Sequence, residues 1–370
     1  MKAWLKDNTV LAVAALLAAA SVCLTPPSAA YLGYVDWHVL ALLFCLMAVV
    51  VGLRRSGGLD HLSRYLLSKV KSTRALVLVL MLLSFFSAQL LTNDVALLTF
   101  VPLAVAMIDG KKQPGLLIDV IVLQTMAANL GSMITPVGNP QNLFLFSYYG
   151  MGIGDFLRLT LPIGLLCLGF LLAIIFIHPW PQLQLQSQQD APATPLDRHS
   201  LIAYLALFAL CLLAVVKLIP WQLMLAAVLL SLLIFDRRVL KEVDYALLLT
   251  FLCFFIFVGN VAAWPAAHHF IATILQGRVL LVSALLSQLI SNVPAAVMLA
   301  SFTQESTALL LGVNIGGLGT LVASLASLIS YRLYCGEAQA QPGRYLKVFT
   351  AYNFSGLALL LAASRFIFAF

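Results

Sequence analysis

Four short polar stretches break into apolar sequence in this chain: Thr92-Asn93-Asp94, Asn129 to Asn139, Ser291-Asn292 and Asn314 to Ser324. Their side chains are of the kinds that handle ions. An amide such as Asn93, Asn129, Asn292 or Asn314 both donates and accepts, so it serves an anion or a cation. Asp94 adds a charge. A carboxylate inside a hydrophobic segment costs roughly 2.5–3.5 kcal/mol on insertion scales, so it needs a wet or paired environment and is the candidate to carry a proton or a cation. Thr, Asn and Asp also favour helix starts. A helix beginning after Asp94 presents free N–H groups and a positive dipole end to an anion, while unwound carbonyls nearby can hold Na⁺.

The second of these stretches, extended from Asn129-Leu130-Gly131 through Thr135-Pro136-Val137-Gly138-Asn139-Pro140 to Gln141-Asn142, cannot continue as one helix, because two prolines and two glycines interrupt it. Irregular backbone at membrane depth persists only where it lines a cavity or is buried in protein. Its counterpart, Asn314-Ile315-Gly316-Gly317-Leu318-Gly319-Thr320 to Ser324, keeps Asn, Gly and Thr but not the prolines. The candidate solute- and ion-binding set is Thr92, Asn93, Asp94, Asn129, Gly131, Thr135, Gly138, Asn139, Ser291, Asn292, Asn314, Gly316, Gly319, Thr320 and Ser324, with Na⁺ placed at Asn93, Gly138, Asn292 and Gly319. Plain hairpin capping by the tips, and plain packing by the glycines, stay open as alternatives.

Other polar residues carry less. His268-His269 reads as a solvated turn in a short external loop, since two histidines without a carboxylate make a weak metal site. Asp119 and Glu305 lie near segment ends, where interfacial exposure accounts for them. Gln89, Gln124 and Gln288 either line a pathway or bond between helices. The six cysteines form no CxxC pair or metal-ligand spacing. No His or Cys stands beside the four motifs, so the chain is not read as an enzyme and no cofactor is expected. A secondary transporter is the leading class. A passive channel or an integral-membrane enzyme is the rival.

The elements that must position these motifs are membrane helices. Of 370 residues, 62% are hydrophobic and 9% charged, against about 25% charged in a soluble domain. The net charge of +7 follows topology rather than nucleic-acid binding. With the N-terminus in the cytoplasm, seventeen Lys and Arg fall inside, among them Arg54, Arg55, Lys111 and Lys112, and four fall outside, namely Arg158, Lys217, Arg278 and Arg365. The run from Val10 to Leu24 is long for a secretory core and reads as a retained span. Spans are expected at about 8–24, 37–53, 115–149 (broken), 155–178, 200–217, 220–235, 245–264, 306–334 (broken) and 347–368. Segments 75–109 and 279–303 each turn around a polar tip, with both ends on one side of the membrane. Gly57 to Lys71 suits a short interfacial helix.

The landmarks recur in one order. Val35-Asp36-Trp37 is echoed by Val243-Asp244-Tyr245, and Gln89-Leu90-Leu91-Thr92-Asn93 by Gln288-Leu289-Ile290-Ser291-Asn292. The expected fold is an all-α polytopic membrane protein of two inverted repeats, each with a re-entrant hairpin and a broken transmembrane helix. The first repeat is 1–178, a cytoplasmic linker and connecting helix occupy 179–219, and the second repeat is 220–370. Location in the inner membrane, a cytoplasmic N-terminus and a periplasmic C-terminus follow. Its partners are a small solute or ion and the bilayer, and a homodimer is left open.

These motifs resemble those of the ion transporter superfamily, in its arsenite-pump, sodium/proton-antiporter, P-protein and citrate-transporter branches. Asn93-Asp94 and Asn292-Val293-Pro294 resemble the hairpin tips of the arsenite-pump branch. Asn129-Leu130-Gly131 through Gly138-Asn139-Pro140, and Asn314-Ile315-Gly316-Gly317 through Thr320, resemble the broken helices of the P-protein. The resemblance implies secondary active transport of a small anion, an inorganic oxyanion or a carboxylate, coupled to Na⁺ or H⁺, with Na⁺/H⁺ antiport as the alternative. Asn139 departs from the pattern, standing where relatives often carry Asp.

Overall fold

A computed structural model describes residues 9–23, 25–28, 30–182 and 195–368. Among the described residues the secondary structure is helical throughout, with no strand. Seven helices among the described residues are long and apolar enough to cross a bilayer: α3 (Trp37–Arg55), α5 (Thr73–Leu91), α7 (Pro114–Ser132), α9 (Ile153–Ile177), α10 (Arg198–Val215), α12 (Tyr245–Ala262) and α18 (Pro342–Phe368). The pair α13 (Pro265–Leu275) and α14 (Val279–Ile290) passes the same test together, bent by 109°. The described residues also form shorter α-helices, α1 (Thr9–Ser21), α2 (Ala30–Tyr34), α4 (Gly58–Leu67), α6 (Asn93–Met107), α8 (Pro140–Tyr148), α11 (Trp221–Phe235), α15 (Asn292–Ala300), α16 (Ser306–Ile315) and α17 (Leu325–Cys335), and 3-10 turns at Val239–Lys241 and Leu321–Ala323.

The spans expected at 8–24 and 220–235 fall on α1 and α11, which at 13 and 15 residues are shorter than the spanning helices; the other expected spans fall on spanning or broken helices, and both hairpins and both breaks form. Thr92 alone separates α5 from α6, and Ser291 alone separates α14 from α15. Residues 133–139 separate α7 from α8, and 316–324 separate α16 from α17. One reading is corrected. His268 and His269 lie within helix α13 rather than in a loop turn, because Pro265 takes its first position, where a missing N–H costs nothing, and the residues that follow are helix-compatible. The His268 ring packs 5.4 Å from that of Phe302. The linker from Pro179 to Ser200 lies partly outside the described residues. Its described end is fixed to the corner after α3 by the Asp197 N–H, which donates to the Ser56 carbonyl at 3.0 Å.

Repeated sequence gives repeated local structure. Asp36 caps α3 by accepting from the Val39 N–H at 3.0 Å, and Asp244 caps α12 by accepting from the Leu247 N–H at 2.9 Å. Each carboxylate satisfies one of the four N–H groups that a helix start leaves without an internal partner.

Packing places the broken helices centrally. In α7, 89% of the apolar window is buried, against 28% in α10 and in α18, so α7 is the inner column and the other two are peripheral. The hairpin arms α5 and α6 pack on α7, as α14 and α15 do on α16. The two halves then interlock: α6 lies against α17, and α15 against α8. Each hairpin's second arm therefore meets the other half's broken helix. The polar ends of all four elements are brought into one buried region.

Candidate functional site

The two hairpin tips have the same unusual backbone. Thr92 has φ 75° and ψ 151°, and Ser291 has φ 77° and ψ 154°. This is a region that side-chain-bearing residues seldom occupy and that persists only where the surroundings over-determine it. The surroundings here are the breaks. Thr135 donates its hydroxyl to the carbonyl of Gln89, three residues before the first tip. Thr320 donates its hydroxyl to the carbonyl of Gln288, three residues before the second, at 3.0 Å. Ser291 Oγ reaches the Ala323 carbonyl at 3.4 Å.

At the first tip, Asn93 Nδ2 donates to Asn129 Oδ1 at 3.0 Å, and Asn93 Oδ1 accepts from the Asp94 N–H at 3.0 Å. Asn129 reaches into the second half: its Oδ1 also accepts from Ser324 Oγ at 2.9 Å, and its Nδ2 donates to Ser327 Oγ at 3.3 Å. Asn314 reaches the opposite way, donating to Asn142 Oδ1 at 2.6 Å. The helix caps align these contacts. Asn139 (φ −146°, ψ 146°) precedes α8 and Ser324 (φ −143°, ψ 135°) precedes α17, so Asn142 and Ser327 each stand three residues past their cap.

The remaining predicted residues sit at close approaches. A Cβ on Gly131 would fall 2.1 Å from the Phe85 carbonyl oxygen, and one on Gly138 2.2 Å from that of Ser132, so both hold backbone against backbone. Gly316 is similarly pressed on Ala284. Gly319 combines φ 104° with Gln288 Oε1 only 2.2 Å from where a Cβ would sit, which leaves glycine as the residue that fits. Asn292 is buried, with its Nδ2 facing Gly317. Among the described residues no group of three or more His, Cys, Asp or Glu is placed to hold a metal ion.

Sequence reasoning included Gln141 and Asn142 in the first break without giving either a role, and it did not name Ser327. The available signal was that Asn139-Pro140 starts a helix, so the next two polar residues point back into the break. Gln288 was weighed between lining and bonding. It bonds, with Nε2 donating to the Gly316 and Leu318 carbonyls at 2.7 and 2.9 Å and Oε1 accepting from the Thr320 N–H at 2.9 Å.

Asp94 lies beside this network rather than inside it. It is half-buried, its Oδ1 has no hydrogen-bond partner, and it borders a cavity of about 210 Å³ shared with Ser291, Pro294, Asp244 and Arg332. A second cavity, about 470 Å³, opens at the Asp36 end beside Phe144, Tyr148 and Phe255. The Phe144, Phe251 and Phe255 rings, with centroids 5.8–6.2 Å apart, pack together at that end.

Comparison with known proteins fits this geometry. A family model described as citrate transporter matches residues 3–329. The chain belongs to the citrate transporter family. It is 32% identical over 337 residues to the uncharacterized transporter MJ0456 of Methanocaldococcus jannaschii, covering 90% of each chain. It is 33% identical over 306 residues to the inner membrane protein YbiR of Escherichia coli, covering 81% of this chain and 80% of YbiR. A shorter match, 28% over 149 residues, is to the silicon efflux transporter LSI3 of Oryza sativa, covering 40% of this chain and 30% of LSI3. This citrate-transporter-family member is therefore an integral membrane transporter and not an enzyme.

Proposed function

We propose that this transporter moves a small anion, an inorganic oxyanion or a carboxylate, across the inner membrane in exchange with or alongside Na⁺ or H⁺. The observation that carries the reading is the Asn93–Asn129–Ser324 chain, which joins one hairpin tip, its own break and the other half's break in a single run of hydrogen bonds. A solute held by these groups touches every element that must move to expose it to either side. Asn93, Asn129, Asn292 and Asn314 are the solute- or ion-holding amides, helped by backbone at Gly131, Gly138, Gly316 and Gly319. Na⁺ is assigned to the carbonyl-rich turns at Asn93 and Gly138 and at Asn292 and Gly319.

The matched tips, caps and cross-half contacts support two inverted repeats, 1–178 and 220–370, with the N-terminus cytoplasmic and the C-terminus periplasmic. On that arrangement the cavity at Asp94, Asp244 and Arg332 faces the cytoplasm and the aromatic cluster at Phe144 faces out. The name of LSI3 speaks for an inorganic solute and the family description for a carboxylate. Na⁺/H⁺ antiport is the second reading, favoured by the unpartnered Asp94 Oδ1 at a cavity wall. Saturable uptake into proteoliposomes that follows an imposed Na⁺ or H⁺ gradient tests the proposal. Flux that ignores both gradients points to a channel instead.

A further inference from the structure

An apolar groove of about 620 Å³ separates α10 from the first hairpin arm, α5, with Leu53 of α3 among its walls. Helix α4 roofs it. Leu59, Leu62 and Leu66 recur at the spacing of one helix face, and all three line the groove. Ser63 and Leu67 are buried on the adjoining face, so α4 is held to protein on one side and bridges the groove with the other. At the roofed end Leu201 of α10 closes on Gly58, where a Cβ would stand 2.9 Å from a leucine methyl. The walls are exposed apolar side chains. Phe86 and Leu90 on α5 are 53% and 49% exposed, and Leu205 on α10 is 50% exposed.

The depth of the groove matches one leaflet. From Val79 to Leu91 the α5 wall runs roughly 18 Å at 1.5 Å per residue. A bilayer core about 30 Å thick gives each leaflet roughly 15 Å of hydrocarbon. The groove therefore ends at the hairpin tip, where Thr92 follows. That depth suits an acyl chain, whereas a partner's transmembrane helix needs both leaflets. Charge at the roofed end suits a headgroup. Lys69 comes three residues after Leu66, Arg198 three before Leu201, and Arg74 lies in the first turn of α5. All three are exposed, and among the described residues none of them is in an ion pair. Lys69 rests over the Tyr65 ring at 5.5 Å, and tyrosine is favoured at headgroup level. Asp60 and Asp197 are the carboxylates of these segments, against Arg64, Lys69, Lys71, Arg74 and Arg198, so the roofed end stays positive.

We propose that this groove binds one anionic phospholipid, its acyl chain between α5 and α10 and its phosphate against Lys69, Arg74 and Arg198. The chain lies against the arm that carries the Asn93 tip. Recognition of chain and charge together sets the site apart from the general lipid contact of a membrane helix. The inference goes beyond the solute reading and stands whatever solute is carried.

Native mass spectrometry of the full-length transporter, delipidated in detergent, tests this. The probes are dioleoyl phosphatidylglycerol, dioleoyl phosphatidylcholine and glycerol 3-phosphate, which is a headgroup without chains. One phosphatidylglycerol is expected to bind per chain, at least tenfold tighter than phosphatidylcholine, and glycerol 3-phosphate is expected not to bind. Leu205→Trp fills the groove from an exposed position. Its melting temperature without lipid should hold, while phosphatidylglycerol binding falls at least tenfold. Lys69→Gln combined with Arg74→Gln and Arg198→Gln should keep lipid binding and lose the preference for phosphatidylglycerol. Equal binding of the two lipids by the wild-type protein, glycerol 3-phosphate binding as tightly as phosphatidylglycerol, or unchanged binding by Leu205→Trp overturns the proposal. Should Leu205→Trp melt early, the glutamine variant decides alone, and an unchanged preference overturns the proposal. A lipid-free dimer that Leu205→Trp dissociates overturns it in favour of a second copy as the occupant. Lipid binding as expected, with no gradient-driven uptake by wild-type proteoliposomes, removes the solute reading and leaves this site.

Discussion

Asn93 Nδ2 and Asn129 Oδ1 are 3.0 Å apart, and that hydrogen bond ties the first hairpin tip to the break in its own helix. The same Asn129 oxygen accepts from Ser324 Oγ in the other half, so one amide couples three elements. Asn129→Ala leaves both donors buried without a partner, at a cost of about 1–3 kcal/mol each. It is expected to lower the melting temperature and abolish gradient-driven uptake. Asn129→Asp keeps the acceptor and adds charge, so it should fold and fail selectively in transport. Equal uptake by wild type and Asn129→Asp would exclude this amide from the solute path.

Asp94→Asn keeps the shape of the side chain and removes its charge. Asp94 borders a cavity and its Oδ1 accepts no hydrogen bond, so the change costs little in packing. Expression and melting temperature should hold, while uptake driven by a pH or Na⁺ gradient falls at least tenfold. Normal uptake with unchanged ion dependence would make Asp94 a bystander and leave coupling to amides and carbonyls.

Strain at the tips gives a different expectation. Thr92 and Ser291 share a backbone conformation that glycine alone adopts freely, and such residues cost on the order of 1–3 kcal/mol. Thr92→Gly relieves that strain, partly offset by the greater freedom of glycine in the unfolded chain. We expect a stability gain of about 1 kcal/mol with slower transport, since a relaxed tip no longer holds Asn93 against Asn129. A destabilised Thr92→Gly protein would mean the side chain makes a contact worth more than the strain.

How much of this was legible in the sequence differs by level. Spans were legible because apolar length is itself the physical requirement for crossing a bilayer. Hairpins and breaks were legible because proline, glycine and clustered amides cannot sit inside lipid without a partner. The cross-half bonds were not. Asn142 with Asn314 and Ser327 with Asn129 are contacts across more than 170 positions, set by how the halves interlock rather than by any local pattern. Gln141 stood in the first break without a role for the same reason: its partner, Asn314, lies 173 positions away. His268 and His269 were placed in a loop turn, whereas Pro265 opens a helix that contains both.

Acid should weaken the corner where the linker meets α10. The hydroxyl and N–H of Ser200, with the His199 N–H, hold the Asp197 carboxyl below the usual carboxylate range. A group whose folded pKa is depressed contributes stability above its unfolded pKa and loses it as pH falls through the folded value. Hydrogen exchange at the start of α10 is therefore expected to rise as pH drops below the ordinary Asp range, after correction for intrinsic rates, and Asp197→Ala should show that faster exchange at neutral pH. A flat profile in the wild-type protein would mean the cap contributes nothing.

The last expectation concerns sidedness. Seventeen of twenty-one basic residues fall on one side if the hairpins re-enter and the halves are inverted, and that asymmetry fixes orientation across a bilayer. Both ends of the first hairpin should then face the cytoplasm, and α13 the periplasm. In a background with the six native cysteines replaced, a cysteine at Ser72 should resist a membrane-impermeant maleimide in intact cells, and one at His269 should react. Ser72 is exposed at the cap of α5 and His269 lies on exposed helix α13, so accessibility on either side is not the barrier. Labelling at both positions from outside would break the inversion, because the two sites would share a face. Labelling at Ser72 alone would keep the inversion and reverse the protein in the membrane, placing the Asp94 cavity on the periplasmic side.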